Sequence, residues 1–276
     1  MHIDLKKYCL KTEKNINIKI MHISDIHFSL NYKIKRLDMV LNKIKENYPN
    51  YICITGDLID VNNITKDKSF IYFEKFINNL ASISKVIISI GNHEYFVEES
   101  KNKYSLKDDI SWLKKFKNKN IIVLDNEIYK DDNINFIGFN PEIEYYKKNE
   151  IEILKEDNIK LYKLLNKVND KYNILLCHTP MYLYQSKNYE KIKDLKKIDL
   201  VLCGHTHGGM IPSFIPGRFG IISPSKRLFP KNIRGINTIN GVTIIISSGV
   251  TKLSRKSKLM QFTDVYGANI NEIKIN

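Results

Sequence analysis

Tyr51-Ile-Cys-Ile-Thr-Gly-Asp57 is a short apolar run that stops on a glycine and delivers an aspartate. Near-continuous apolar sequence of this length suits a strand buried on both faces, as in the centre of a parallel sheet. The glycine lets the backbone turn sharply at the strand end. The same arrangement repeats outward along the chain. Ile18 to Ile23 leads to Asp25 and His27, and Val86 to Ile90 leads to Gly91-Asn92-His93-Glu94. Ile174 to Cys177 leads to His178, and Leu200 to Cys203 leads to Gly204-His205-Thr206-His207. Ile121 to Leu124, Ile134 to Phe139 and Val242 to Ser247 read as further strands. Segments of helical period lie between them, at Lys33 to Glu46, Lys68 to Leu80, Leu106 to Phe116, Ile153 to Leu165 and Tyr189 to Leu195. The alternation predicts an α/β fold. Its polar residues gather at strand C-terminal ends, where open α/β sheets place their ligands. No internal repeat, Gly/Ser linker or low-complexity tract interrupts the series. One domain over residues 1–276, with its core from about residue 18, is therefore expected.

The 276 residues are 43% hydrophobic and 27% charged, an ordinary globular balance that excludes a disordered chain. The net charge of +14 arises from lysines scattered through the whole length. Dispersed charge of this kind speaks to solubility more than to a dedicated partner. Cys9, Cys53, Cys177 and Cys203 lack a C-x-x-C spacing, and the last three lie within apolar runs. They read as small buried hydrophobes in a reducing compartment. The first twenty residues contain no signal-peptide-like apolar stretch, and no later segment approaches ~18 apolar residues. A cytoplasmic location is expected, with peripheral contact at the inner face of the membrane as a variant of it.

Singly, each polar block is weak: Asp25-Ile-His27 is equally a capped turn, and a lone His178 is more often a packed histidine than a ligand. Together they carry more. The chain has seven histidines, and five of them, His27, His93, His178, His205 and His207, follow apolar runs. Imidazoles, carboxylates and one amide without thiolates match a hydrolytic site for Mn²⁺, Fe, Zn²⁺ or Ni²⁺ and not a structural zinc site. Cys177 and Cys203 precede ligand candidates but end apolar runs, and are not counted among them.

In order and spacing, D-x-H, G-D, G-N-H-E, a lone H and G-H-x-H, these five blocks resemble the calcineurin-like metallophosphoesterase family over nearly the whole chain. The extended form Gly204-His-Thr-His-Gly-Gly209 looks closest to a bacterial branch of YkuE-like phosphoesterases, similar to UDP-2,3-diacylglucosamine pyrophosphohydrolases. The resemblance implies a four-layer α/β/β/α sandwich with a binuclear centre of two divalent cations, Mn²⁺ foremost, at strand C-terminal ends. It implies Asp25, His27 and His207 on one metal, Asn92, His178 and His205 on the other, and Asp57 bridging. It also implies in-line attack of a metal-bridging hydroxide on a phosphomonoester, phosphodiester or pyrophosphate. His93 would face the substrate and protonate the leaving oxygen, and Glu94 would orient a neighbour.

Met210 to Arg234 interleaves apolar and basic residues with four prolines, which argue against a regular helix. It reads either as a loop for an anionic, partly apolar substrate or membrane surface, or as a packed insertion with solvated lysines and arginines. A phosphoester small molecule or lipid-linked substrate is the expected partner. No motif for base stacking or groove reading is present, so specific nucleic-acid binding is not expected. A catalytically silent scaffold of the same fold and a nuclease are the competing readings. Oligomeric state has no signature in the sequence.

Overall fold

A computed structural model describes residues 2–29, 34–101, 103–147, 155–180, 193–208, 211–212, 220–222, 234–239, 241–250 and 268–276. In chain order its elements are β1 (Ile3–Leu10), β2 (Ile18–Ile23), α1 (Ile34–Lys45), β3 (Tyr51–Thr55), α2 (Phe70–Ile83) and β4 (Lys85–Ser89). There follow the hairpin β5 (Phe96–Ser100) and β6 (Lys103–Leu106), α3 (Ser111–Lys114), β7 (Ile121–Leu124), β8 (Ile128–Lys130) and β9 (Ile134–Phe139). Next come α4 (Ile143–Lys147), α5 (Lys155–Leu165), β10 (Tyr172–Cys177) and β11 (Leu200–Cys203). The short pair β12 (Ile211–Pro212) and β13 (Gly220–Ile222) precedes β14 (Gly235–Ile239), β15 (Val242–Ile246) and β16 (Ala268–Ile275).

Two six-stranded sheets form, in the orders β1-β16-β2-β3-β4-β7 and β14-β15-β11-β10-β9-β8. Within the first, β2, β3, β4 and β7 run parallel; within the second, β9, β10, β11 and β15 do. Side chains alternate across a strand with period two, and here both faces are apolar. On β3, Ile52 and Ile54 face a cluster with Leu37, Val40, Phe73, Phe76 and Leu80 of α1 and α2. Cys53 between them faces the other sheet, in a cluster with Phe136, Ile174, Leu176, Leu200 and Leu202. Likewise Leu175 and Cys177 of β10 turn towards Leu161, Leu164 and Leu165 of α5. The result is the α/β/β/α sandwich. Burying both faces of both sheets is what makes the inter-sheet seam a fixed distance, and the polar strand ends line up along one edge of that seam.

Three expectations are corrected or extended. Leu106 to Phe116 is not one helix: Leu106 ends β6, and α3 begins only at Ser111. The Asp109 carboxylate accepts the Ser111 backbone N–H, and such a local bond sets where a helix starts. Of Tyr189 to Leu195, residues 189–192 lie outside the described residues, and Lys193–Lys197 form a 3₁₀ turn. β1 was not expected; its eight residues pair in parallel with β16, which itself runs antiparallel to β2. Most of 210–234 also lies outside the described residues. Among the described residues no helix is long and apolar enough to cross a membrane.

Candidate metal centre

Every candidate ligand stands just past a strand C-terminus: Asp25 and His27 after β2, Asp57 after β3, Asn92 after β4, His178 after β10, and His205 and His207 after β11. Asp25, His27, Asp57, His205 and His207 all adopt left-handed backbone, with φ of 54°, 47°, 54°, 68° and 49°. That conformation costs a non-glycine residue about 1–3 kcal/mol and persists only where surroundings impose it. Here backbone bonds between the loops do so: Asp25 N–H to Gly56 O at 3.1 Å, His27 N–H to Asp57 O at 3.0 Å and Gly204 N–H to His178 O at 2.9 Å. Gly56 itself has φ of 74°, and a side chain on it would run into the Gly91 backbone. Close approach of these two loops therefore demands glycine.

The donor atoms fall into two groups. In one, His27 Nε2 and His207 Nε2 are 3.3 Å apart and Asp25 Oδ1 lies 3.4 Å from His207 Nε2. In the other, His178 Nε2 and His205 Nδ1 are 3.1 Å apart, with Asp57 Oδ2 at 3.2 Å from His178 Nε2. Two imidazoles bound at about 2.0–2.1 Å to one cation, at tetrahedral to octahedral angles, would sit about 2.9–3.4 Å apart. Both pairs have that separation. Asp57 Oδ2 is also 3.5 Å from His27 Nε2, so this one oxygen stands between the groups. Asn92 is buried and its Oδ1 has no hydrogen-bond partner among the described residues, as a side-chain oxygen reserved for a cation would be.

Outer contacts orient these groups. His178 Nδ1 donates to the Thr55 carbonyl at 2.7 Å, which leaves Nε2 as the lone-pair donor. His93 Nδ1 donates to the Asp60 carbonyl at 2.8 Å, its Nε2 lies 4.0 Å from Asp57 Oδ2, and its ring packs edge-on against Phe96. The buried Glu94 accepts three backbone N–H groups, from Asp57 (3.0 Å), Leu58 (2.7 Å) and Gly91 (2.6 Å), and so ties the Asp57 loop to the Asn92 loop. Asp60, which the sequence reading passed over, also brings its Oδ1 within 3.1 Å of His27 Nδ1. Its signal was available as the second acid in Gly56-Asp57-Leu-Ile-Asp60. Cys177 and Cys203 are buried strand residues outside the ligand groups found among the described residues.

Burial opposes charge on Asp25 and Asp57, yet the surrounding imidazoles hold both carboxyls below the usual range, Asp57 well below it. The same attraction works in reverse on the rings. Burial would lower His178, but the Asp57 carboxylate outweighs it and its pKa rises to about 10. His27 rises to about 9, burial there being overcome by Asp60, Asp57 and Asp25. At His207 burial prevails over Asp25 and the pKa drops to about 3; at His93 it is likewise lowered by burial. Burial and the Asp57 charge raise Glu94 to about 7, against the N–H bonds it accepts. Two buried, ionised carboxylates thus create a demand for positive charge that a proton or a cation can meet. The donor set fits divalent cations.

Residues 18–209 match the model of the calcineurin-like phosphoesterase family. A metallophosphoesterase of Aquifex aeolicus is 29% identical over 271 residues, covering 95% of this chain and 89% of its own. One from Helicobacter pylori is 29% identical over 208 residues, covering 75% of this chain. This chain spans only 48% of that relative's length. Among solved structures, a dimetal phosphatase from Danio rerio shares the fold with a TM-score of 0.51 at 13% identity, covering 84% of this chain and 88% of its own. With the motif order, the strand-end geometry and this match over most of its length, the chain belongs to the calcineurin-like phosphoesterase family and is a metal-dependent phosphoric ester hydrolase.

Proposed function

We propose that the chain hydrolyses a phosphomonoester, phosphodiester or pyrophosphate at a binuclear centre, with Asp25, His27 and His207 on one cation, Asn92, His178 and His205 on the other, and Asp57 shared. The observation that carries this is Asp57 Oδ2, placed 3.5 Å from His27 Nε2 of one group and 3.2 Å from His178 Nε2 of the other. When bound, two divalent cations supply Lewis acidity towards phosphoryl oxygens and ease ionisation of the attacking water. His93 holds its Nδ1–H on the Asp60 carbonyl, so Nε2 is its free nitrogen; once that nitrogen has taken up a proton, the imidazolium would give it to the leaving oxygen. Its side chain is 23% exposed, against 0–2% for His178 and His27, which leaves it the histidine open to substrate. Glu94 and the Thr55 carbonyl do no chemistry; they hold Asp57 and His178 in place.

Mn²⁺ is the metal we assign, from the oxygen-and-imidazole donor set. The Gly204-His-Thr-His-Gly-Gly209 sequence supports a place near the YkuE-like and UDP-2,3-diacylglucosamine pyrophosphohydrolase branch, hence a small or lipid-linked phosphoester handled in the cytoplasm. Residues 210–234, with their basic and apolar mixture, are assigned to that substrate or to an anionic membrane surface. We take 1–276 to act as one domain. The test is metal analysis together with hydrolysis of bis-p-nitrophenyl phosphate and p-nitrophenyl phosphate with added Mn²⁺. Two bound metals and hydrolysis of either ester support the reading; metal-independent turnover overturns it.

A further inference from the structure

A buried polar belt passes beneath the metal centre, between the sheets. It begins after β15, where Ser247 Oγ and the Ser248 N–H both donate to Asn269 Oδ1, at 3.2 and 3.1 Å. Asn269 Nδ2 donates to Asn271 Oδ1 at 3.3 Å, and Asn271 Nδ2 donates to His22 Nδ1 at 3.1 Å. With Nδ1 accepting, the other ring nitrogen carries the proton, and His22 Nε2 meets Thr55 Oγ1 at 2.9 Å. The Thr55 carbonyl then takes the Nδ1–H of His178 at 2.7 Å and the Ser24 hydroxyl at 3.0 Å. The belt thus leaves the second sheet, crosses β16, β2 and β3 of the first, and returns to the second at a candidate metal ligand. Ser247, Asn269, Asn271, His22, Thr55 and His178 are all buried. Backbone bonds brace it, from Val250 N–H to Ser24 O and from Asn269 N–H to Gly249 O, both 3.0 Å.

The middle of the seam is apolar, with Ile20, Cys53, Ile87, Ile273 and their partners from the second sheet filling it. A histidine and two asparagines there cost desolvation that their hydrogen bonds only offset, so an apolar set of the same shape would hold the sheets as well. What hydrogen bonds add is direction: their strength falls steeply with misalignment, whereas apolar contacts tolerate sliding. Direction matters at this height in the seam, because His22 and Thr55 lie three and two residues before Asp25 and Asp57.

We propose that His22 is a positioning residue for the metal centre: through Asn271 and Thr55 it keeps the ends of β2 and β3 in register with His178, and so sets the spacing between ligands from the two sheets. The proposal rests on the binuclear reading above. It is tested in the full chain with His22→Leu, His22→Gln and Asn271→Leu, by Mn²⁺ titration, circular dichroism with thermal melting, and kcat and KM for bis-p-nitrophenyl phosphate. His22→Leu leaves Asn271 Nδ2 and the Thr55 hydroxyl without their buried partner and should melt below wild type, and where it folds at least one Mn²⁺ should bind about 10–100-fold more weakly, the range for loss of an outer-shell partner. Its kcat should fall with KM little changed, and His22→Gln, which keeps a donor and an acceptor, should recover part of both. Wild-type Mn²⁺ affinity at both sites in a folded His22→Leu overturns the proposal, whatever happens to melting. Should His22→Leu fail to fold, Asn271→Leu decides in the same way, a weakened Mn²⁺ site supporting the belt and two unchanged sites overturning it. If wild type binds two Mn²⁺ and hydrolyses neither ester, the substrate reading fails alone, and the affinity comparison still decides the role of His22.

Discussion

The two sheets make unequal contributions to the centre. The first supplies both buried carboxylates and the amide, Asp25, Asp57 and Asn92, with a single imidazole, His27; the second supplies only imidazoles, His178, His205 and His207. Charge therefore comes from one side of the seam and neutral donors from the other. Neither half resembles a complete site, since the first has too much buried negative charge and the second has none. Binding a dication satisfies both at once, which couples metal affinity to the packing of one sheet on the other.

The bluntest way to break that comparison is to remove the cation. Dialysis against EDTA should abolish hydrolysis, and Mn²⁺ should restore it; it should also lower the melting temperature, because ligands that bind only the folded state stabilise it by mass action. An apo-protein that melts no lower than the loaded one would mean the sheets do not need the cation to face each other. Asp57→Asn attacks the charged half at its shared oxygen. Losing one ligand charge from both groups should reduce kcat/KM by about a thousandfold or more, the several kcal/mol that metal-borne charge stabilisation supplies. Metal analysis should show fewer than two ions bound. His93→Ala should cost about 10²–10⁴ in kcat, the usual share of a general acid, with both metals retained. A His93 variant that loses metal would place that ring among the ligands and upset the division between the sheets.

How far the sequence foretold this follows from which signals are local. Strand ends were legible because β3 and β10 are apolar on both faces and stop on Gly56-Asp57 and His178, so run length and the polar residue after it are visible within seven residues. α1 and α2 were legible from period alone. β16 was not: in Ala268–Ile275 the apolar alternation switches face at Asn271-Glu272, and nothing local says that the strand inserts between β1 and β2. No strand was expected over 96–106, and the helix expected over 106–116 begins only at Ser111, whose N–H is held by Asp109. At the site, the residues that the structure brings together at the strand ends were readable from the motif order, while those that bond to them were not. Glu94 was placed only loosely, Asp60 was missed, and His22 looked like an ordinary polar interruption of an apolar run, since its significance lies in Thr55 and Asn271, 33 and 249 residues away.

The smallest expected effect comes from the opposite end of the same seam and serves as the control. There Asp131, beyond β8 of the second sheet, gathers Lys85 Nζ and the Tyr51 hydroxyl of the first sheet on one oxygen, each at 3.1 Å, along with Tyr129 at 3.0 Å. Burial works against its charge, but Lys85, the Asp132 N–H and the two tyrosines outweigh it and hold the carboxyl below its ordinary 3.8. A depressed carboxyl stabilises the fold above the unfolded value and loses that contribution as pH falls through the folded one. Asp131→Asn should therefore cost about 1 kcal/mol near neutral pH, as a partly exposed hydrogen-bonded pair does, and the gap from wild type should shrink below pH 4. Denaturant unfolding at pH 7 and pH 3.5 measures this. Mn²⁺ affinity and kcat should stay where they are. If they move as they do for His22→Leu, then clamping the sheets anywhere along the seam tunes the centre, and the belt beneath it has no special standing.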